Sequence, residues 1–504
     1  MPVNYTQLTG IALSGLLIQS SCSPREKIHR NQVAKNPNIV VILADDLGYG
    51  DLGCYGATKL KTPNIDRLAA SGLRFNHGYC TSATSTPSRF ALLTGQYPWR
   101  NEKARVLPGD APLLIDPAKT TMPGMLQKAG YTTGIVGKWH LGLGSGQVDW
   151  NRHISPGPNE TGFSYAYIMA ATNDRCPTVF IENETVVGLD PADPIQVSYK
   201  QNFPGEPTGK EFPEKLKMGL SQGHAGTIVN GISRIGFMKG GGKARWTDEF
   251  MVDTFLLKAD KFIENNRSGP FFLYYALHEP HCPRVPSPRF AGSSGLGPRG
   301  DVIVEADWAV GEFLKKLDQL GLTNNTIVVF SSDNGPVLDD GYADRAAELN
   351  GSHTPWGPMR GGKYSLLEAA THVPFLVSWP GHINPGVTDA LVSQVDLAAS
   401  FAQMTGQPNP GPDSQSVLAA LLGKSPIGRS SLVLDNGSGK TLIRENEWVM
   451  IPPYPGVPLF KDVNIETGLS PEIQLYNIKI DPGQRNNLAK LKPELAEKMK
   501  LGIQ

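Results

Sequence analysis

The sequence predicts an α/β protein with a large, mainly parallel sheet and a smaller antiparallel region near its C-terminal end. Apolar, β-branched runs of strand length recur along most of the chain, and helical patterns lie between them. Beyond about residue 396 the strand-like runs become short and turn clusters separate them. Lys plus Arg and Asp plus Glu both number 47. This balance is not typical of a nucleic-acid binder, which neutralises phosphates with surplus positive charge.

The first predicted strand covers residues 38–43, an apolar run of the length expected for a buried parallel strand. Comparable runs follow at residues 134–136, 271–277, 327–330 and 373–378. A helix is predicted over residues 304–320, where Val310, Phe313 and Leu317 recur at helical spacing and Gly321 marks the end.

The pattern divides the body of the chain into a domain at residues 36–396 and a smaller C-terminal subdomain at residues 397–504. The subdomain contains strand-like runs at 431–434, 448–451 and 474–477, which predict an antiparallel sheet. Residues 186–246 carry few periodic runs and much Gly and Pro, which indicates a long insertion of functional importance.

Residues 1–22 read as a secretory signal, because a short apolar stretch precedes small residues and Cys22. The position of Cys22 resembles that of the lipidated cysteine of bacterial lipoproteins, and an ordinary signal peptide cut nearby is the alternative. Residues 23–35 are interpreted as a linker. We expect a periplasmic protein that is lipid-anchored through Cys22. The sequence has no apolar run long enough for a transmembrane helix.

The other cysteines, Cys54, Cys80, Cys176 and Cys282, form no CxxC pair and are interpreted as small buried thiols.

Chemically active side chains follow the predicted strands at the point where each strand ends. They are, in chain order, Asp45, Asp46, Lys138, His140, His278, Asp333 and Asn334. In open α/β sheets, ligands bind outside the carboxyl ends of the strands, so these side chains are expected to share one pocket. The acids and Asn334 offer only oxygen donors, which suits Ca²⁺ or Mg²⁺ better than zinc.

A further candidate is Ser85, which opens a predicted helix that also carries Arg89. The helix N-terminus and the guanidinium could hold an anion between them. A plain serine hydroxyl is a poor nucleophile without a base. The segment lacks the Gly-x-Ser-x-Gly pattern of many serine hydrolases, so a serine-hydrolase triad is disfavoured.

Residues 85–95 and 130–140 resemble the two signatures of the type I, formylglycine-dependent sulfatases of the alkaline phosphatase superfamily. Further similar pieces are residues 45–50, 62–68, 332–335 and 475–488, so the resemblance covers nearly the whole chain from about residue 36. It implies an alkaline-phosphatase-like sandwich, in which helices flank a large mainly parallel sheet and a smaller antiparallel subdomain follows.

The resemblance implies that Ser85 is oxidised to formylglycine by a bacterial maturase and that Ca²⁺ is the metal cofactor. The hydrated aldehyde would attack sulfur, release the sugar alcohol and then expel sulfate. The implied metal ligands are Asp45, Asp46, Asp333, Asn334 and residue 85. The implied catalytic residues are Ser85 itself, Arg89 and Lys138 on the hydrate, His140 in its deprotonation, Lys363 on sulfate and His278 at the leaving oxygen.

A similar resemblance to gut-bacterial carbohydrate sulfatases implies a substrate with sulfated galactose or N-acetylgalactosamine, as in mucins and glycosaminoglycans. Candidate sugar contacts are Asn173, Asp174, Arg175, His224, Asp339 and Asp340. Each could equally be a surface-loop charge. These residues do not fix the position of the sulfate, and 6-O is the position we expect.

Two alternatives remain open from the sequence. One is a phosphomonoesterase or phosphodiesterase of the same superfamily, which needs zinc ligands and an unmodified hydroxyl. The other is a catalytically inactive, lipid-anchored binder of sulfated glycans, which follows if Ser85 is never oxidised. The expected partners are a sulfated carbohydrate and the maturase, with no nucleic acid.

Overall fold

The computed structural model describes residues 36–444 and 447–503. The predicted signal at 1–22, the linker at 23–35 and Cys22 lie outside this range and stay predictions. The strands are β1 (Asn38–Ala44), β2 (Leu73–Tyr79), β3 (Thr132–Lys138), β4 (Tyr165–Met169), β5 (Phe180–Glu182), β6 (Thr185–Val186), β7 (Gln196–Ser198), β8 (Ile228–Val229), β9 (Ile232–Ser233), β10 (Phe237–Lys239), β11 (Phe271–Ala276), β12 (Thr326–Ser332), β13 (Phe375–Ser378), β14 (Gly386–Ser393), β15 (Ser431–Asp435), β16 (Lys440–Arg444), β17 (Trp448–Ile451), β18 (Leu459–Phe460), β19 (Ile465–Glu466) and β20 (Gln474–Asn477). The α-helices are α1 (Pro63–Ala70), α2 (Ser85–Thr94), α3 (Met122–Lys128), α4 (Met251–Asn265), α5 (Gly297–Gln319), α6 (Ala346–Leu349), α7 (Leu397–Thr405), α8 (Leu418–Leu421) and α9 (Pro493–Lys500).

Ten strands form the main sheet in the order β14-β2-β13-β12-β1-β11-β3-β4-β5-β6. Its centre, from β12 to β4, is parallel throughout. Strand β13 runs antiparallel to both of its neighbours, and the short β5 and β6 extend the far edge in antiparallel pairing. The α/β fold with a mainly parallel sheet is therefore confirmed.

Both faces of the sheet are covered by helices, because the central strands are apolar on both sides. In β1, Ile39, Val41 and Leu43 belong to one hydrophobic core, which α2, α3 and α7 complete. The intervening Val40, Ile42 and Ala44 belong to the second core, with α1, α4 and α5. This alternation is the two-residue period of a strand buried on both faces.

The C-terminal part contains the expected antiparallel sheet, in the order β15-β16-β17-β20. Helix α7 nevertheless supplies Leu397 and Phe401 to the first core of the main sheet. Contacts group Asn36–Gln504 into one unit, and the boundary after residue 396 stays a prediction.

The structure also shows the expected long helix, the insertion and the cysteines. The helix expected at 304–320 is α5, which begins earlier, at Gly297. The insertion at 186–246 contains short paired strands, β7 with β10 and β8 with β9, and one short 3-10 helix at Pro213–Lys215. Within the described ranges, Cys54 is half-buried and the other three cysteines are buried free thiols. No helix in these ranges combines the length and the apolarity that a membrane crossing requires.

Candidate active site

The candidate site lies at the carboxyl ends of β1, β12 and β3, where strand register brings distant residues together. Ala44 pairs with Ser332, so the next residues on the two strands, Asp45 and Asp333, are neighbours. The backbone N–H of Asp333 donates to the carbonyl of Ala44 at 3.0 Å, which extends the pairing one step further. The shared edge predicted from the sequence is therefore present.

Ser85 occupies the first turn of α2, with its side chain aimed at this edge. It is 3 % exposed. Lys138 Nζ donates to Ser85 Oγ at 2.9 Å. The same oxygen lies 3.3 Å from Asp45 Oδ1 and 3.4 Å from Asn334 Oδ1. The hydroxyl at this position is thus in contact with one cation and two oxygen acceptors, all of them buried.

Three carboxylates meet three cations around Ser85, and each acid has its own basic partner. Lys138 Nζ lies 2.5 Å from Asp45 Oδ2. Arg89 Nε and Nη2 reach Asp333 Oδ2 at 2.9 and 2.8 Å. The third pair joins Lys363 Nζ to Asp46 Oδ2 at 2.9 Å. All the acids are fully buried, so their charges depend on these partners.

The acids and Asn334 fit a hard cation. Asn334 Nδ2 donates to Asp46 Oδ1 at 2.7 Å, which joins the amide to the cluster. Burial and the neighbouring charge of Asp333 raise the pKa of Asp45 to about 8. Oxygen-only donors of this kind are typical of Ca²⁺ or Mg²⁺ sites, and a cation among them would relieve the repulsion that raises this pKa.

His140 lies just beyond the end of β3 and is buried. Its Nε2 contacts the carbonyl of Leu107 at 3.0 Å. Its Nδ1 is buried and has no hydrogen-bond partner among the described residues. Burial, and then the charge of Lys138, hold the pKa of His140 well below its ordinary value. The imidazole is therefore neutral in this arrangement.

The two histidines after β11 have different surroundings. His278 Nδ1 lies 2.9 Å from Glu279 Oε1, and its ring packs edge-on against Phe255. His281 Nε2 lies 3.9 Å from Asp46 Oδ2, and the ligand atoms of His281, Asp45 and Asp46 all lie within 4.8 Å of one another. Among the polar contacts of the described residues, His281 reaches the carboxylate cluster and His278 does not. The geometry thus favours His281 for the role at the leaving oxygen that the resemblance gave to His278.

Asn173, expected to contact sugar, is 2 % exposed and holds the segment that carries His281. Its Nδ2 donates to the carbonyls of His281 and Pro283 at 3.3 and 3.1 Å. Its Oδ1 lies 3.2 Å from His281 Nδ1. These contacts give Asn173 a positioning role and leave its amide little freedom to bind a ligand.

The other expected sugar contacts fall into separate groups. Asp174 Oδ1 accepts from Arg175 Nη1 at 2.7 Å, and Asp174 Oδ2 lies 3.1 Å from His224 Nε2. Asp340 accepts from Lys363 Nζ at 2.8 Å and from the Tyr364 hydroxyl at 3.2 Å. Asp339 instead accepts from the exposed Ser221 hydroxyl at 2.6 Å. The structure therefore brings Asp340 to the site and places Asp339 outside these contacts.

A cavity of about 460 Å³ opens next to Lys363, and His224 and Asp340 are in its lining. Tyr364, Phe460 and Asp462 also line it, and sequence reasoning missed all three. The signal for Tyr364 was its place next to Lys363. Phe460 and Asp462 are on a short hairpin of the C-terminal part, with no motif to mark them.

A mainly parallel sheet whose strand ends gather buried acids, cations and one hydroxyl defines a hydrolase that acts on an anionic ester. A sequence model of the sulfatase family matches residues 37–407. The chain belongs to the sulfatase family and is a sulfuric ester hydrolase.

Similar proteins agree with this family. The chain is 50 % identical over 491 residues to an N-acetylgalactosamine-6-O-sulfatase of Bacteroides thetaiotaomicron, covering 97 % of this chain and 96 % of that one. A solved structure concerning glycosaminoglycan metabolism by Bacteroides thetaiotaomicron shares 50 % identity with a TM-score of 0.91, covering 93 % and 99 % of the two chains. Human arylsulfatase A is 35 % identical over 410 residues, covering 79 % and 70 %.

Proposed function

We propose that the protein removes the 6-O-sulfate from an N-acetylgalactosamine or galactose residue of a glycosaminoglycan or mucin glycan. The 50 % identity to an N-acetylgalactosamine-6-O-sulfatase along nearly the full length of both chains supports this substrate. The observation that carries the reaction is the contact of Ser85 Oγ with Lys138, Asp45 and Asn334.

An unmodified Ser85 hydroxyl is too weak a nucleophile for this reaction without a general base. Oxidation of Ser85 to formylglycine by a maturase would supply a hydrated carbonyl, whose hydroxyl is a better nucleophile than serine. Lys138 Nζ, 2.9 Å from the oxygen at this position, stabilises negative charge there. Arg89 is fixed by Asp333 and by the Tyr274 hydroxyl, at 3.1 Å, and adds a second positive charge near Lys138.

Asp45, Asp46, Asp333 and Asn334 would hold Ca²⁺, with the side chain of residue 85 beside them. When bound, the ion would supply positive charge for a sulfate oxygen. All four side chains are fully buried and offer oxygen donors. Lys363, at the edge of this group, faces the cavity through Asp340 and would bind a second sulfate oxygen.

We assign the proton given to the leaving sugar oxygen to His281. Burial, and then the charge of Lys363, hold the pKa of His281 well below its ordinary value, so its Nε2 would first take up the proton that the attacking hydroxyl of the hydrate releases and then pass it to the leaving oxygen. Its Nδ1 lies 2.6 Å from the carbonyl of Cys282 and 3.2 Å from Asn173 Oδ1. Since these contacts fix Nδ1, the ring presents Nε2 to the carboxylate cluster. His140, whose Nε2 is held by the Leu107 carbonyl, would assist the deprotonation of the hydrate.

Sugar hydroxyls would be read by Arg175, His224 and Asp340. Asp174 holds Arg175 and His224 in one hydrogen-bonded array, so the two donors keep a fixed spacing. Fixed donors and a carboxylate are suited to neighbouring hydroxyl groups. A periplasmic location with a lipid on Cys22 is part of the same proposal and rests on the sequence of residues 1–22.

The test is sulfate release from a panel of 6-O-, 4-O- and 3-O-sulfated N-acetylgalactosamine and galactose, by protein coexpressed with a serine-type maturase. We expect release from the 6-O-sulfated sugars, and no release by Ser85→Ala. Intact-mass analysis of the wild type should show the loss of two hydrogens that oxidation of Ser85 requires. Phosphate-ester turnover without this mass change would indicate a phosphatase. Binding without turnover would indicate an inactive glycan binder.

A further inference from the structure

The outer wall of the 460 Å³ cavity is built from two segments that lie far apart in the chain. One is the loop at residues 221–224, inside the long insertion. The other is the hairpin of β18 and β19, which ends in the turn at residues 461–464. Gln222 Nε2 donates to the backbone carbonyl of Asp462 at 2.8 Å and joins the two segments. They therefore form one continuous wall of the cavity.

This surface has an apolar ring at its base. Phe460 is half-buried, and its ring stands edge-on to Tyr364, with 6.5 Å between centroids and 86° between planes. Val463, in the same hairpin, is buried beside it. A half-exposed aromatic ring in a cavity is suited to the apolar face of a sugar ring.

Charge is distributed unevenly along the cavity. At the inner end Lys363 neutralises Asp340 at 2.8 Å. At the outer end Asp462 is exposed, and no Lys or Arg whose side chain the structure describes forms an ion pair with it. The described lining residues include no Lys or Arg, and His224 is already paired with Asp174. Lys461, in the same turn as Asp462, is exposed but is not among the lining residues, so the charge that lines the outer end of the cavity is that of Asp462, while the substrate itself is anionic.

We propose that this outer wall receives the sugar next to the sulfated residue, and that Asp462 selects against a neighbour carrying a carboxylate or a second sulfate. The inference rests on the proposed function and specifies its substrate. The enzyme prefers a free 6-sulfated monosaccharide, or one joined to a neutral hexose, over one joined to a uronic acid. Phe460 supplies the contact with the neutral neighbour, and Asp462 supplies the charge discrimination.

The experiment compares kcat/KM for three substrates with the same 6-O-sulfated N-acetylgalactosamine: the monosaccharide, a disaccharide with neutral galactose and a disaccharide with a uronic acid. We expect kcat/KM of the wild type for the uronate disaccharide to be at least about fivefold lower than for the neutral disaccharide. The reason is repulsion between the carboxylates of Asp462 and the uronic acid at a separation of a few ångströms. Asp462→Asn should remove most of this difference, and Asp462→Lys should reverse it. The difference should also shrink at high salt.

Two further variants separate the contributions. Phe460→Ala should raise KM for the neutral disaccharide and leave the monosaccharide nearly unchanged. Glu472→Gln, an exposed acid that pairs with Lys490 outside the cavity, is the matched control and should keep the wild-type ratio. An unchanged ratio in Asp462→Asn, or a wild-type preference for the uronate compound, would overturn the inference. Absence of sulfate release from all three substrates would instead refute the proposed function and, with it, the inference.

Discussion

Replacing Lys363 with Met should lower both the stability of the fold and the rate of sulfate release, and a second substitution at Asp340 should distinguish the two effects. Lys363 is buried between two carboxylates, with Nζ 2.9 Å from Asp46 and 2.8 Å from Asp340. Burial alone would lower its pKa, but Asp340 and Asp46 outweigh it and hold the pKa well above its ordinary value. The lysine is therefore charged, and it balances the negative charges of both Asp46 and Asp340.

The magnitude follows from these two contacts. A hydrogen bond to a charged group contributes about 1.5–3 kcal/mol, and breaking a buried ion pair costs about 3–5 kcal/mol. Since the Asp340 side chain is 13 % exposed and water can reach it, we expect Lys363→Met to destabilise the fold by about 3 kcal/mol. Loss of a positive charge that faces sulfate should lower kcat/KM by about 10²–10³.

The assay is urea unfolding together with sulfate release, for Lys363→Met and for the double variant with Asp340→Asn. Neutralising Asp340 removes a carboxylate left without its partner, so the double variant should regain part of the stability and none of the activity. Lys315→Met, at an exposed pair with Glu312, is the control and should change neither. Activity of Lys363→Met within about threefold of the wild type would refute the reasoning, since a group that binds sulfate contributes more.

Two further predictions concern the polar residues around the site. His281→Ala should lower kcat by about 10²–10⁴ on sugar sulfates and much less on a nitrophenyl sulfate, because the nitrophenolate leaving group needs no proton. His278→Ala, the control, should show no such dependence on the leaving group. Equal losses of kcat on both substrates in His281→Ala would contradict the assignment to His281. Burial, and then the charge of Glu279, raise the pKa of Glu305 from 4.5 to about 7, so its stabilising contribution is complete below about pH 4.5 and is lost as pH rises through about 7. The melting temperature of the wild type should accordingly fall more than that of Glu305→Gln between about pH 5 and about pH 8, and parallel curves in calorimetry would contradict this sign.

The central sheet was predictable because its strands are buried on both faces. A strand such as β1 reads as one apolar run, and the residue after each run then marks the site edge. Strand β2 was not predicted, since Arg74, Asn76 and His77 interrupt its apolar residues. Strand β14 was missed for a similar reason, because its first half is largely exposed and polar.

Parts of the site that depend on distant segments could not be predicted. His278 and His281 follow the same strand, and sequence spacing alone does not show which ring turns towards Asp46. The contact between Asp174 and His224 joins residues 50 positions apart, and only short strands and one short 3-10 helix lie between them. Asp462 reaches the cavity through a hairpin whose own strands have two residues each, too short to give a periodic signal.

The hydrogen bond between Gln222 and Asp462 has a consequence for redesign. The reacting groups are carried by the rigid sheet, whereas the outer rim is shared between a loop and a hairpin that are more than 200 residues apart. A chimera in which only one of these segments is exchanged for its counterpart in a related enzyme would lose the contact between loop and hairpin at the entrance of the cavity. Exchanging both together should transfer a new glycan preference while the hydrolytic machinery beneath stays untouched.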